Sequence, residues 1–261
     1  LGSRYHDERY LSELRGAFSK QDAYDYPDTS GRDQSADRLY TRQYTLNWVN
    51  SVKLDESWTL GGGADWQRDM LDDSSRSSGV AFPSDADERD NTGLYALAQF
   101  DNQVWQAELS GRSDDNEQFG RHNTWQTGAG WRFVEDYRLS ARYGTGFRAP
   151  SFNDLYYPGS GNPDLKPEES KSHELMLDGQ TAGVEWRLTG YRNDFEQMIQ
   201  WAPDSQGMWT PQNVGKARIE GVELEGEFET GWLSHRVSAE YKDPKDKATD
   251  KQLQLISRKG A

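Results

Sequence analysis

Cysteine is absent from this 261-residue chain, which excludes disulfides and thiolate metal sites and leaves the compartment open. Long apolar runs are missing as well: no stretch approaches the roughly 18–20 residues of a membrane-spanning helix. Only 33% of the residues are hydrophobic, and the mean hydropathy of -1.03 is poor for a soluble core of this size. Positive charge is scarce, with 30 Lys and Arg against 44 Asp and Glu and a net charge of -14. That balance sets nucleic acid aside as a partner, because phosphate binding needs a positive field, and it is compatible with cation binding. Catalytic signals are thin. His6, His122, His173 and His235 are scattered, with no metal-ligand spacing such as H-E-x-x-H. Ser151 and Ser160 sit in no G-x-S-x-G elbow. The N-terminal Leu1-Gly2-Ser3-Arg4-Tyr5-His6 is no signal peptide, so export implies an internal piece of a longer precursor.

Aromatics are plentiful: 10 Trp, 13 Tyr and 9 Phe, which argues against disorder. Their spacing carries the main signal. From Tyr137, the residues Tyr137, Leu139, Ala141, Tyr143 and Phe147 alternate with Arg138, Ser140, Arg142, Gly144, Gly146 and Arg148. A period of two means a strand with one apolar and one polar face. Pro150 ends it, and a long polar loop with Pro158, Pro163 and Pro167 follows before a new strand near Lys171.

The same unit recurs. Two-faced strands are expected at about Asp7–Lys20, Arg38–Val52, Trp58–Gln67, Gly93–Phe100, Val104–Arg112, Thr124–Phe133, Tyr137–Arg148, Lys171–Gly179, Val184–Thr189, Val222–Phe228 and Leu233–Tyr241. The ninth is expected to run on through Phe195–Trp201, and Arg258 begins a further strand. Long loops are expected at Gln21–Asp37, Asp69–Thr92, Ser113–Arg121, Pro150–Glu169, Ala202–Gln212 and Lys242–Lys251, alternating with tight turns. Strands near ~10 residues, short turns at one end and long loops at the other are the marks of an all-β, antiparallel transmembrane barrel. One face then meets lipid and the other a wet lumen, which reconciles low hydropathy with order. A soluble sandwich or propeller also alternates, but no strict repeat marks a propeller. A soluble carbohydrate-binding β module and an outer-membrane hydrolase are the rivals from other classes.

Three stretches resemble the barrel of TonB-dependent outer-membrane receptors: Gly144-Thr145-Gly146-Phe147-Arg148-Ala149-Pro150, Gly161-Asn162-Pro163-Asp164-Leu165-Lys166-Pro167-Glu168, and Asn213 with Ala217-Arg218-Ile219-Glu220-Gly221-Val222-Glu223. Within that family the chain looks most like the cobalamin (vitamin B12) receptors, through runs such as Arg112-Ser113-Asp114-Asp115-Asn116, Gln118-Phe119-Gly120-Arg121-His122 and Gly190-Tyr191-Arg192-Asn193-Asp194. The alternative within the family is a receptor for another ligand, such as a siderophore. The resemblance implies one partial barrel domain over residues 1–261, about half of a barrel of about 22 strands whose plug lies outside this chain. It implies an outer-membrane, non-catalytic protein of a Gram-negative bacterium that takes up cobalamin with energy from TonB, contacted through the plug. Lumen-facing Arg138, Arg142, Arg148, Arg187, Glu223, Glu225 and Glu227 would then face the plug.

Candidate sites follow from the acidic loop. Clustered aspartates beside turn residues can supply the hard oxygens that calcium takes, and Asp22, Asp25 and Asp33 are the candidate metal ligands; the plainer reading is a solvated acidic loop. The resemblance adds calcium-ordered outer loops and makes Tyr24, Asp25, Asn91 and Arg258 the candidate substrate contacts.

Overall fold

The computed structural model describes residues 1–26, 36–76, 88–253 and 257–260. These form a single antiparallel meander in which thirteen strands pair strictly with their sequence neighbours. The strands are β1 (Gly2–His6), β2 (Tyr10–Asp25), β3 (Asp37–Lys53), β4 (Trp58–Ser75), β5 (Glu88–Asp101), β6 (Trp105–Asn116) and β7 (Gly120–Val134). They continue through β8 (Tyr137–Arg148), β9 (Glu168–Thr181), β10 (Val184–Pro203), β11 (Trp209–Thr230), β12 (Leu233–Asp246) and β13 (Lys259–Gly260). A short helix, α1 (Phe152–Tyr156), lies in the β8–β9 connection. Among the described residues no helix is long and apolar enough to cross a membrane.

All eleven expected strands are present, but their ends move. Those strands run from 12 to 22 residues, well past the ~10 of a membrane crossing. Two expected loops prove to be largely strand. Ser113–Arg121 holds the end of β6 and the start of β7 around a three-residue turn, and Ala202–Gln212 holds the ends of β10 and β11. Above the membrane both faces of a strand are wet, so the two-fold alternation fades while backbone pairing continues. β1 is an addition to the expected set: Gly2-Ser3-Arg4-Tyr5-His6 carries no apolar alternation, yet it pairs residue for residue with Leu11–Arg15 of β2. Arg42 falls on the same face as Tyr44, Leu46 and Trp48.

The register defines an uncharged belt on the outer face. On β2 the outer residues Tyr10, Ser12, Leu14, Gly16 and Phe18 precede Lys20; on β3, Val52, Asn50, Trp48, Leu46 and Tyr44 precede Arg42. On β4, Trp58, Leu60, Gly62, Ala64 and Trp66 precede Arg68; on β5, Phe100, Ala98, Ala96, Leu94 and Thr92 precede Asp90. Such a run spans eight residue steps, about 27 Å along a strand at ~3.4 Å per residue, and about 21 Å across a membrane once tilted by ~40°. That matches the ~25 Å apolar band of an outer-membrane barrel. Trp48 is 50% exposed and Leu109 58%, as lipid-facing residues are when no lipid is counted.

The turn end is built from side chains that accept backbone N–H groups. Asp7 accepts from Arg9 and Tyr10 at 2.8 Å each, and Asp55 accepts from Ser57 and Trp58 at 2.8 Å each. Ala182 and Gly183 both have positive φ, 53° and 81°, the two-residue turn whose twist suits a hairpin. Trp58, Trp105, Trp131, Tyr137 and Trp186 gather near this end on the outer face, with Trp105 stacked on Trp131 at 5.5 Å. Amphipathic rings favour such interfacial positions.

Candidate functional site

The inner face is polar along its length and tied into ion pairs. Arg112 on β6 reaches across β5 to Asp65 on β4, donating from both terminal nitrogens at 2.6 and 2.8 Å. It also donates to Asp114 from Nε at 2.7 Å and from Nη2 at 2.6 Å. The strand in between contributes Gly93, directly opposite both Asp65 and Asp114. A Cβ at Gly93 would collide with Arg112 Nη2, so only glycine leaves room for the guanidinium to cross. The same device recurs on β11. Tyr191 lies over Gly221 and donates to Glu240 on β12 at 2.5 Å, and a Cβ at Gly221 would meet that hydroxyl at 2.8 Å. Nearer the turn end, Asp178 accepts from Arg138 at 3.1 Å and from Arg187 at 2.6 Å. Two-point Arg–carboxylate contacts fix orientation as well as charge.

Of these groups Arg138, Asp178 and Arg187 line a concave inner pocket of about 700 Å³, walled also by Glu108, Gln126, Arg142 and Glu174. Arg138, Arg142, Arg148, Arg187, Glu223, Glu225 and Glu227 all lie on this face, as their alternation predicts.

At the loop end the β8–β9 connection folds inward and braces the wall. Ser151 caps α1 by accepting from the Asp154 backbone N–H, and Asp154 returns the contact to the Ser151 N–H, a reciprocal cap. Phe152, Leu155 and Leu165 pack with Leu39 of β3, Leu71 of β4 and Ile199 of β10. This cluster is the principal apolar core, and it joins strands far apart along the sheet. Polar contacts extend the brace. Ser74 donates to the Tyr156 carbonyl at 2.6 Å, Trp201 to Asp154 at 3.1 Å, and Asn162 to the Pro211 carbonyl at 3.0 Å. Asn213 exchanges hydrogen bonds with the Lys166 backbone at 2.8 and 2.9 Å.

Arg89 is the pivot. Its side chain is 7% exposed, pairs with Asp69 at 3.1 Å and donates to the Pro150 carbonyl at 2.9 Å. Its guanidinium lies 5.7 Å from the Phe119 ring centroid and 5.0 Å from that of Phe152. A buried cation in this setting has both an anion and two π faces.

The expected site residues are spread along the loop end and are not gathered into one cluster. Asp22 and Tyr24 lie on the outer face of β2, opposite Tyr40 and Arg38, whereas Asp25 lies on the inner face. Lys20 pairs with Asp22 at 3.0 Å, and Tyr157 of the brace donates to Asp25 at 2.8 Å. Burial, followed by the hydrogen bond to Asp25 and the charges of Asp25 and Asp37, pushes the Tyr157 hydroxyl above its usual range. A cation held at this end can use Asp22 or Asp25 but not both, and among the described residues no three metal-ligating side chains converge. Asp33 lies outside the described residues. Tyr24 instead stacks on Tyr26 at 6.4 Å and accepts from the Tyr40 hydroxyl at 2.9 Å. Asn91 points inward and donates to Asp114 at 2.9 Å. Arg258 pairs with Asp243 at 3.4 Å beside β12, many strands away.

Sequence reasoning missed Arg89, Tyr157 and Trp201 as brace anchors, because their partners are 61, 132 and 47 residues distant. It also missed the Arg112–Asp65 bridge, although a glycine at an inner strand position was a usable sign of close approach.

The family model described as TonB dependent receptor-like, beta-barrel, matches residues 1–260. The chain is 40% identical over 253 residues to the vitamin B12 transporter BtuB of Photobacterium profundum, covering 95% of this chain and 40% of that protein. It is 40% identical over 248 residues to the vitamin B12 transporter BtuB of Vibrio vulnificus, covering 94% of this chain and 40% of that protein. The chain thus spans about 40% of the length of these curated relatives. Among solved structures, a variant of the ferric enterobactin receptor PfeA from Pseudomonas aeruginosa superposes with a TM-score of 0.72 at 19% identity, over 99% of this chain and 45% of that one. The siderophore receptor PirA from Acinetobacter baumannii gives a TM-score of 0.67 at 19% identity, over 96% of this chain and 44% of that one. At such identities the superpositions speak to fold alone. With an uncharged outer belt, a polar inner wall and a family match over nearly every residue, the chain belongs to the TonB-dependent receptor-like β-barrel family and forms part of an outer-membrane barrel wall of a Gram-negative bacterium.

Proposed function

We propose that this chain is part of the wall of a receptor that captures cobalamin at the cell surface and passes it inward with energy from TonB. The observation that carries the reading is the 40% identity to two vitamin B12 transporters over nearly the whole chain, against 19% to the siderophore receptors. The role is non-catalytic: the wall binds, braces and lines a path. Asp25 and Asn91, both on the inner face, would contact the ligand at the loop end, while Tyr24 and Arg258 would act from the rim. Plug contact would fall to the inner-face charges around Arg138, Arg142 and Glu225.

The test is cobalamin binding and uptake by the full-length receptor containing this chain. We expect saturable binding, with uptake that stops when TonB is deleted. Binding of a ferric siderophore in preference to cobalamin would overturn the reading.

A further inference from the structure

The β10–β11 hairpin outruns the membrane. On β10 the uncharged outer run Val184, Trp186, Leu188 and Gly190 ends at Arg192, and Pro203 lies eleven residues beyond it. At ~3.4 Å per residue that is about 37 Å along the strand, so no leaflet reaches the hairpin tip. Above Glu196 the pairing skips Gln197 and Gly215 and resumes at Met198 opposite Val214. Gln197 has a φ of 56°, and its carbonyl accepts from the Asn213 side chain at 2.7 Å. A bulge of this kind bends a ladder. Past the bend, Ile199 enters the apolar core of the brace and Trp201 donates to Asp154, so the tip leans over the lumen.

The inward face of the hairpin ends in an uncovered indole. Trp201 is opposed to the buried Pro211, and the next inner pair is Pro203 with Trp209. Trp209 is 49% exposed. Among the described residues no other ring stacks on it, whereas the Tyr157 ring meets Trp201 edge-on at 5.7 Å and 89°. Trp201 and Trp209 are diagonal neighbours, ~7–8 Å apart along the backbone and within reach for aromatic side chains. Tyr157 in turn donates to Asp25 of β2 at 2.8 Å. A row of Asp25, Tyr157, Trp201 and Trp209 therefore crosses the mouth from β2 to β11. The turn beside it is fixed: Asp204 accepts from the Gln206 and Met208 N–H groups at 2.8 and 2.9 Å, and Gly207 takes a φ of 82°. A ring presented by such a turn loses little freedom on binding.

On the cobalamin reading, on which this rests, we propose that Trp209 is a stacking subsite at the lumen mouth for a flat ring face of the arriving solute. Indole offers a large, rigid apolar plane, and Tyr157 and Asp25 farther along the row offer polar atoms to the edge of the same solute. The height above the membrane excludes a lipid-facing girdle role, and the exposure excludes a core role.

The experiment is equilibrium binding of cyanocobalamin, and of cobinamide, which lacks the nucleotide base, to the full-length receptor in detergent. Trp209→Ala should weaken cobalamin binding by roughly 5- to 100-fold, the scale of losing one stacking ring. Trp209→Phe keeps a ring and should stay within about threefold of the unsubstituted receptor. Trp209→Leu, apolar but ringless, should fall with alanine. Trp232→Ala removes an 89% exposed indole at the turn end and should change nothing. Loss with both solutes identifies the macrocycle as the stacked face, and loss with cobalamin alone identifies the base; either supports the subsite. The assignment is overturned if Trp209→Ala keeps its affinity for cobalamin or if Trp209→Phe falls as far as alanine. An unsubstituted receptor that binds no cobalamin would sink the cargo reading and the subsite with it.

Discussion

Replacing Arg89 with alanine should release the brace without breaking the barrel. The variant loses the 3.1 Å contact to Asp69, the donor to the Pro150 carbonyl at 2.9 Å, and two cation–ring contacts. Removing one partner of a buried ion pair costs about 3–5 kcal/mol, chiefly because the other charge is stranded. Asp69 is not fully stranded here, since Gln43 donates to it at 2.9 Å and Gln67 at 3.0 Å. The expected local cost is therefore at the lower end or somewhat below it, about 2–3 kcal/mol. The assay is amide hydrogen exchange of the full-length receptor in detergent, following residues 152–165. A loss of 2–3 kcal/mol in local opening speeds exchange there by about 30- to 150-fold, at 1.4 kcal/mol per factor of ten. Exchange in β6 and β7 at the turn end should stay as it was. Arg121→Ala, which removes an exposed pair of 66% and 60% accessibility, is the control and should change little, as exposed ion pairs do. Equal exchange at residues 152–165 in the two variants would refute the view that Arg89 holds the connection in place.

Three further outcomes follow from the same structure. Trp48→Arg puts a charge midway along the uncharged belt and should cost about 2–4 kcal/mol in refolding into vesicles, whereas Asn47→Lys on the inner face should cost less than about 1 kcal/mol; equal costs would reverse the assignment of faces. Because the Tyr157 hydroxyl is raised by burial and by Asp25, its contribution is complete below the unfolded tyrosine value of about 10 and fades as pH climbs through the folded value. The phenolate absorbance difference between wild type and Tyr157→Phe should then show a late-titrating tyrosine, and ionisation at an ordinary tyrosine pH would contradict the contact with Asp25. For the acidic loop, calcium titration of the full-length receptor should weaken in Asp25→Ala with Asp33→Ala and stay unchanged in Asp22→Ala, whose carboxylate faces away from Asp25; unchanged affinity in the double variant rejects the site.

Alternation alone made the barrel legible. Trp48, Trp66, Leu139, Trp186 and Leu224 all fall on the outer face, because a strand has a period of two and a lipid face tolerates no charge. That rule is local, so it survives reading one residue after another. It stops being informative where both faces are wet, which is why the outer ends of β6, β7, β10 and β11 look like loop in the sequence, while β1, five residues with a single aromatic, is too short to show it. The candidate site fared less well for a related reason. Asp22 and Asp25 look like neighbours in sequence, but three steps along a strand is an odd number, and the pleat sends them to opposite sides.

What the chain's order of residues determined by itself is the set of strands, their faces and the turn end, all of which depend on contacts between near neighbours. Only the tertiary structure decided that the β8–β9 connection turns inward, that Arg89 is buried against Asp69 and Pro150, and that Arg112 crosses Gly93 to reach Asp65. Those contacts join residues 20 to 132 positions apart, and no local propensity encodes a separation of that kind. It emerges when a curved sheet brings distant strands to the same side of one lumen.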